Sequence, residues 1–443
     1  MGAFLEFFLF LGIFFPIYHI LNSFFPSSKN NISDKNYTKP MTILIPCYNE
    51  KKIIKNTIQG LLKIVYENYE CIFINDGSID DTFKELCKLL KLKKYNKTKS
   101  NDLLGSKIKN IYKSKKYSNF YVIDKPNGGK SDALNIGINY SENDYIVTLD
   151  ADSILKEDAL AIVSNVFDDS DVVAASGVIQ ILQSVKLLDG NYIPTLKNKL
   201  LIKLQTIEYI KSCYCYKASL AKLNSLLVIS GAFGVFKKKL LIDVGGFSHV
   251  IGEDLNLTLK IQFYIENTNK KIMYVPNAIC YTEGPDTFKD FIKQRKRWQQ
   301  SFIESLFTFR KKIFKNFLSN SLSFFIVIDA LLIGVISSYI ITFFSFLFIR
   351  NLVFSNIIDA FLYIKIFILV HLSYNIFSII IAGYYKIRFK GLDIFRLITT
   401  IIFDVILYRL IILYTILIGT TTYFFGNKKW NKVKRSGTDY YST

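Results

Sequence analysis

"YECIFINDGSIDDT", residues 69–82, is the stretch from which the fold can be read. A β-branched and aromatic run ends in Asn-Asp-Gly-Ser, and a helical pattern follows from about Asp80 to Lys91. The same scheme precedes it: "MTILIPCYNE" (41–50) is strand-like and gives way to a helical pattern between Glu50 and about Tyr69. It returns in "NFYVIDKPNGGKSDALNIGINY" (119–140), with Gly-Gly at the turn, and "DYIVTLDADS" (144–153) supplies a fourth strand. Strands alternating with helices predict an α/β domain with a mainly parallel sheet and helices on both faces. Ligands of such sheets bind beyond the carboxyl ends of the strands. Asn49, Asp76, Lys130, Asp150 and Asp152 fall there.

Around this core the chain is apolar and basic. Of 443 residues, 50% are hydrophobic and 15% aromatic, which excludes a disordered chain, and the formal net charge is +20. The opening run "GAFLEFFLFLGIFFPIYHILNSFF" is long enough to cross a hydrocarbon core of ~30 Å. No basic residue precedes it and no small-residue cleavage site follows, so it does not read as a secretory signal. Lys29, Lys35 and Lys39 come directly after it and assign the following residues to the cytoplasm by the positive-inside rule. Three further apolar runs lie near 321–349, 357–384 and 397–425. Asp329, Asp359, His371, Asp404 and Arg409 lie within them; such groups face a bundle interior or polar cavity, or snorkel to helix ends. Two basic stretches, "YYKIRFKGLDIFR" (384–396) and "GNKKWNKVKRSG" (426–437), both read as cytoplasmic, which conflicts with three spans between the domain and the tail.

The expected organisation is therefore an N-terminal transmembrane helix over 1–26, a cytoplasmic domain over 40–287 and an amphipathic interface region over 288–318. About three transmembrane helices over 319–426 and a basic tail over 427–443 follow. The surplus charge suits anionic lipid headgroups or a phosphate-bearing substrate; no nucleic-acid motif accompanies it. The six cysteines lie in the predicted cytoplasmic part, where thiols stay reduced, and Cys213 and Cys215 have no histidine nearby to build a zinc site. A lysine-rich stretch, about 91–116, reads as a surface insertion, either a solvated loop or a segment resting on lipid headgroups.

Three motifs carry chemistry. In "LDADS", Asp150 and Asp152 would share a face of an extended segment. Their carboxylates then suit a hard divalent ion, Mg2+ or Mn2+, that also takes phosphate oxygens. In "IGEDLNLTLKI", Glu253 and Asp254 open a helix, either as dipole-stabilised capping residues or as a general base for a hydroxyl. In "QRKRW", Gln294, Arg297 and Trp298 share one helix face. Arg297 can fork onto a pyrophosphate and Trp298 can stack on a sugar ring; a membrane-surface helix is the plainer reading.

In their order and spacing, "IPCYNE", "INDGSIDDT", "NGGKSDALN", "LDADS", "SGAFGVF…VGGF", "GED" and "QRKRW" resemble the family-2 membrane glycosyltransferases. That group includes cellulose, hyaluronan, chitin and poly-β-1,6-N-acetylglucosamine synthases. The resemblance covers about residues 40–310. It implies a GT-A fold, a UDP-sugar donor and inversion at the anomeric carbon. It further implies that Asn49, Asp76, Lys130, Asp150 and Arg297 serve the nucleotide sugar, with Asp76 on the uridine. Asp150 and Asp152 would hold the metal, and Asp254 would be the base with Glu253 beside it. Gly231, Gln294 and Trp298 would meet the acceptor. Where some polymer synthases carry threonine before the Glu-Asp pair, this chain has Gly252, so the pair does not name the substrate. A single N-terminal span makes a small bundle and suggests an accessory membrane subunit. The functions open at this point are processive synthesis of a β-glycan from UDP-N-acetylglucosamine or UDP-glucose, and single addition to a lipid acceptor. A scaffold with a degenerate transferase domain is a third, disfavoured by the intact acidic motifs, and a nucleic-acid binder a remote fourth.

Overall fold

The β-branched runs become strands because their side chains pack on both faces of a pleated surface. The computed structural model describes residues 2–24, 39–100, 102–188, 191–315, 317–340, 342, 357–426, 437–438 and 440. Its strands are β1 (Met41–Cys47), β2 (Tyr69–Asp76), β3 (Leu92–Lys94), β4 (Asn110–Ser114), β5 (Phe120–Lys125) and β6 (Tyr145–Thr148). They continue with β7 (Ser153–Leu155), β8 (Val172–Ile181), β9 (Val185–Leu188), β10 (Asn191–Pro194), β11 (Gly234–Lys237) and β12 (Lys271–Thr282).

Ten strands form one sheet in the order β3-β4-β5-β2-β1-β6-β11-β8-β12-β7, and β9 and β10 form a separate hairpin. The sheet is mixed rather than mainly parallel. β5, β2, β1 and β6 run parallel, as do β8 and β12. β11 is antiparallel to both β6 and β8, and β3, β4 and β7 are antiparallel additions. The parallel centre is the part that the strand–helix alternation announces. Its register, with Met41 opposite both Tyr69 and Tyr145, brings the carboxyl ends of β1, β2 and β6 together. β1 and β2 are almost wholly buried, which explains their continuous apolar runs.

Three local expectations change. The lysine-rich insertion is not all loop: β3 and β4 pair antiparallel and extend the sheet edge. Lys97 within it is buried, with Nζ 2.9 Å from Glu70 and 3.1 Å from Glu142, and lies over the Tyr121 ring. The helix after β1 is shorter than its pattern, Ile54–Leu61. Asp150 and Asp152 do not lie in an extended strand, because β6 stops at Thr148 and the Ser153 amide donates to the Asp150 carbonyl at 3.0 Å, closing a turn.

The chain divides into two compact units. One comprises 28–193, 228–284 and 434–443 and contains the ten-stranded sheet; the other comprises 1–27, 194–227 and 285–433 and is helical. Residues 194–227 thus leave the span 40–287 that the sequence suggests as continuous. In the helical unit, two helices among the described residues are long and apolar enough to cross a membrane, Ser321–Ile340 and Leu392–Phe425. Gly2–Ser23 and Ile357–Tyr384 are also helices, with apolar stretches at Phe10–Ser23 and Ile368–Tyr384. Three of their ionisable groups face partners: His19 lies 2.9 Å from the Ser219 hydroxyl and 3.2 Å from Asp329, and Asp404 is paired with Lys211 at 2.6 Å. Lys29, Lys35, the Asp359 side chain and most of the basic tail lie outside the described residues.

Candidate active site

Asp76 ends β2, and Asn49 and Asp150 lie two residues beyond β1 and β6. Asn49 adopts a left-handed backbone conformation (φ 57°), and its Oδ1 accepts from the Ile79 and Asp80 amides at 2.8 and 3.3 Å. It therefore joins the turn after β1 to the turn after β2. Asp76 is 3% exposed, and its carboxylate accepts from the Gly128 and Gly129 amides at 2.9 and 2.8 Å. Gly129 has φ +86°, a backbone that glycine adopts without strain. Asp76 thus shapes the "NGGK" loop that precedes the helix Lys130–Tyr140. Lys125, which sequence reasoning overlooked among many lysines, is fully buried. It donates to Asp76, to Asp132 at 2.7 Å and to the Pro126 carbonyl at 2.7 Å. A buried ammonium in this apolar sheet is tolerated because two carboxylates neutralise it.

The loop delivers Lys130. Its ammonium lies 2.7 Å from Asp150 Oδ1 and 2.9 Å from Glu253 Oε1. Burial alone would lower its pKa, but the carboxylates of Asp150, Glu253 and Asp254 outweigh burial and hold it raised. Asp254 is the second residue of the helix Glu253–Ile265. Its Oδ1 accepts from the Leu255 amide at 2.8 Å and its Oδ2 from the Gly231 amide at 3.3 Å. Burial, then the neighbouring Glu253 charge, push the Asp254 carboxyl above the usual range, against the opposing pull of Lys130 and the two amides. Capping and base chemistry are therefore compatible here: a carboxylate held at a helix start, with raised proton affinity, meets the requirement for a general base.

Gly231 is part of the same arrangement. A Cβ there would stand 2.9 Å from Lys130 Nζ, 3.6 Å from Glu253 Oε1 and 3.7 Å from Asp254 Cβ. Gly231→Ala is expected to leave the chain folded but displace the Lys130 ammonium, cutting turnover about tenfold or more, since ~1.4 kcal/mol corresponds to a factor of ten. Steady-state kinetics of the folded variant check this; unchanged turnover would remove Gly231 from the site.

The acidic pair divides its work. Asp150 points at Lys130, while Asp152 is 5% exposed and its Oδ1 accepts from Thr282 Oγ1 at 3.3 Å. Among the described residues no group of three His, Cys, Asp or Glu side chains could cage a metal. Two carboxylates are what a Mg2+ or Mn2+ site takes when substrate phosphates complete the shell. Asp150 and Asp152, in the turn after β6, are the residues that would hold such an ion with a diphosphate, and the ion would share Asp150 with Lys130.

Gln294, Arg297 and Trp298 lie on the helix Phe288–Lys315 of the helical unit. Gln294 is buried and Trp298 is 41% exposed. Arg295, which the motif reading passed over, is the anchored arginine. Its Nη2 donates to Glu208 at 2.7 Å, and its guanidinium lies 4.1 Å from the Trp298 ring centroid. Arg295 therefore orients the indole through a cation–π contact.

This chain matches two protein families, Glycosyl transferase family 2 over residues 42–245 and Glycosyl transferase family group 2 over residues 145–425. It is 32% identical over 317 residues to the poly-beta-1,6-N-acetyl-D-glucosamine synthase of Staphylococcus aureus (strain COL), covering 68% of this chain and 66% of the relative. The synthase of the same name from Staphylococcus epidermidis is 32% identical over 314 residues, with the same coverage. The chain thus spans just under two thirds of the length of these curated relatives. Among solved structures, the mannosyltransferase PcManGT from Pyrobaculum calidifontis, in complex with GDP-Man and Mn2+, shares the fold. Its TM-score is 0.54 at 14% identity, over 94% of this chain and 96% of that one. With one family match extending over more than half the sequence, the chain belongs to the family-2 glycosyltransferases.

Proposed function

We propose that the chain transfers N-acetylglucosamine, with inversion, from UDP-N-acetylglucosamine to a growing β-linked polysaccharide at a membrane. Glucose from UDP-glucose is the second donor to test. The observation that carries this reading is the Asp254 carboxylate, held at a helix start by the Leu255 and Gly231 amides beside a lysine shared by Asp150 and Glu253. The name of the staphylococcal relatives favours the N-acetylglucosamine donor.

In this reading Asp254 takes the proton of the acceptor hydroxyl as its oxygen bonds to the anomeric carbon. The bond from that carbon to the diphosphate oxygen breaks, and UDP leaves with the electron pair. Lys130 offsets the growing charge on the diphosphate. Asp76 holds the loop that carries Lys130 and contributes a remaining lone pair to the uridine, and Asn49 fixes the adjoining turn. Asp150 and Asp152 would hold Mg2+ or Mn2+, which when bound would supply Lewis-acid stabilisation of the leaving diphosphate. Gly231 lets the backbone approach the acceptor. Gln294, Arg297 and Trp298 are assigned the diphosphate and acceptor sugar on the strength of their motif. The chain is read as a multi-pass membrane protein with a cytoplasmic transferase domain and an accessory membrane subunit.

Membranes carrying the full chain, given labelled UDP-N-acetylglucosamine and Mg2+, are expected to release UDP and form polymer. Chelation is expected to stop both, and Mg2+ or Mn2+ to restore them. Full activity in excess chelator would overturn the role of the acidic pair. A product bearing one sugar on a lipid would replace polymerisation by single addition, and no UDP release from either donor would sink the reading.

A further inference from the structure

The helical unit contains a charged cavity that the transfer chemistry does not use. Among the described residues its helices contain three π-helical segments, Lys211–Lys217, Phe325–Ile336 and Asp404–Tyr408. Such wide turns are rare and concentrate at functional positions. The first and the last contribute to the wall of one cavity of about 180 Å3, lined in part by Glu208, Lys211, Tyr374, Tyr408 and Arg409. Pockets that enclose drug-sized ligands run to ~300–1,000 Å3, so this one suits a single ionic group better than a sugar chain.

The charged groups around it are unevenly satisfied. Lys211 pairs with Asp404 at 2.6 Å, with side chains 6% and 0% exposed. Glu208 Oε2 accepts from Arg295 at 2.7 Å and from the Tyr408 hydroxyl at 2.5 Å. A further carboxylate, Asp329, accepts a hydrogen bond from Tyr216 on the wall, and Asp404 also attracts Arg409. The pairs above engage two of the three cations. Arg409 is the third, and its Nε is buried with no hydrogen-bond partner. It belongs to the apolar helix Leu392–Phe425, beside the exposed side chains of Ile406, Leu407 and Leu410. An ionised group in such a segment is costly and usually functional. Burial, and then the Arg409 charge, pull the Lys211 ammonium down to about 8 against the opposing pull of Asp404 and Glu208.

We propose that this cavity binds one anionic phosphoryl group, supplied by a lipid headgroup or by free phosphate, with Arg409 as its principal ligand. A guanidinium presents paired donors that match phosphoryl oxygens, and Tyr374 offers a hydroxyl on the same wall. The bound anion gives the buried Arg409 Nε the acceptor it lacks. This inference stands apart from the transfer reaction, and its test reads stability rather than activity.

The test uses the full chain in a neutral, phosphate-free detergent, with thermal unfolding followed by fluorescence. Inorganic phosphate, dioleoylphosphatidylglycerol in mixed micelles and a phosphate-free diacyl glucoside are titrated separately. A phosphoryl probe is expected to raise the melting temperature saturably, and the glucoside is not. Saturation by phosphatidylglycerol alone assigns a lipid, and saturation by inorganic phosphate assigns the free ion. Arg409→Leu should weaken that response by at least about tenfold, the scale of one hydrogen bond to a charged group. Arg310→Leu, on an exposed site, should keep it. Without phosphate, Arg409→Leu is expected to be no less stable than the parent, because it removes a buried donor that has no acceptor. A variant that melts earlier or fails to fold under those conditions would show a structural role for Arg409 and overturn the proposal. Equal responses in parent and Arg409→Leu, no response to either phosphoryl probe, or an equal response to the glucoside would also overturn it.

Discussion

Asp254→Asn is expected to lower turnover by at least ~10²–10⁴-fold, the usual worth of general-base catalysis, while leaving donor binding in place. The substitution preserves size, and the asparagine Oδ1 can still accept from the Leu255 amide that Asp254 now engages at 2.8 Å. The helix start at Glu253 should therefore persist. What disappears is a group able to hold the acceptor proton. The donor contacts are assigned elsewhere, to Asp76, Lys130 and the Asp150–Asp152 turn, so the dissociation constant for UDP should move little. Equilibrium binding of UDP beside steady-state turnover separates the two effects. Normal turnover by a correctly folded Asp254→Asn chain would leave Glu253 and Asp254 as a helix cap only.

Lys130→Met has the second largest expected effect, on the order of a 10²-fold loss of turnover at neutral pH. Its ammonium is shared by Asp150 and Glu253 and also acts on Asp254. Two unit charges at 4 Å interact by ~4 kcal/mol at the effective dielectric of a protein surface. Solvent screening reduces this, because the Lys130 side chain is 33% exposed. The substitution leaves three carboxylates facing one another and raises the Asp254 carboxyl further. A base works only when deprotonated, so activity is lost as pH falls through the folded pKa of Asp254. That acid limb should already lie above the ordinary carboxylate range in the parent. Lys130→Met should move it to higher pH, and Glu253→Gln, which removes a raising charge, should move it lower. Rate profiles of the three proteins measure this directly; a limb unmoved in both variants would detach the Lys130–Glu253 pair from the base.

The parallel centre of the fold was legible because β1, β2, β5 and β6 are short β-branched runs, each followed by a turn with an unusual polar residue. β8 was not, since a run buried on nearly every residue carries no alternation to distinguish strand from helix. β3 and β4 were hidden by lysine, which is normal on an edge strand but also reads as loop. β11 reverses direction within the sheet, and only its glycines attracted notice. At the site, the acidic residues stood out because acids are scarce beside so many bases. Lys125 did not, because a buried lysine looks like a surface one until its partners Asp76 and Asp132 are in place. The same ambiguity applies to "QRKRW": helical spacing selects Arg297, whereas the anchored guanidinium is Arg295, fixed by Glu208, a residue far away in sequence.

The central claim is a single displacement in which Asp254 deprotonates the acceptor while UDP leaves from the opposite side of the sugar. The anomeric configuration of the product tests it most directly. With α-linked UDP-N-acetylglucosamine as donor, proton NMR of the purified product should show the large H1–H2 coupling of a β-linkage. The small coupling of an α-linkage would mean retention and would contradict the mechanism.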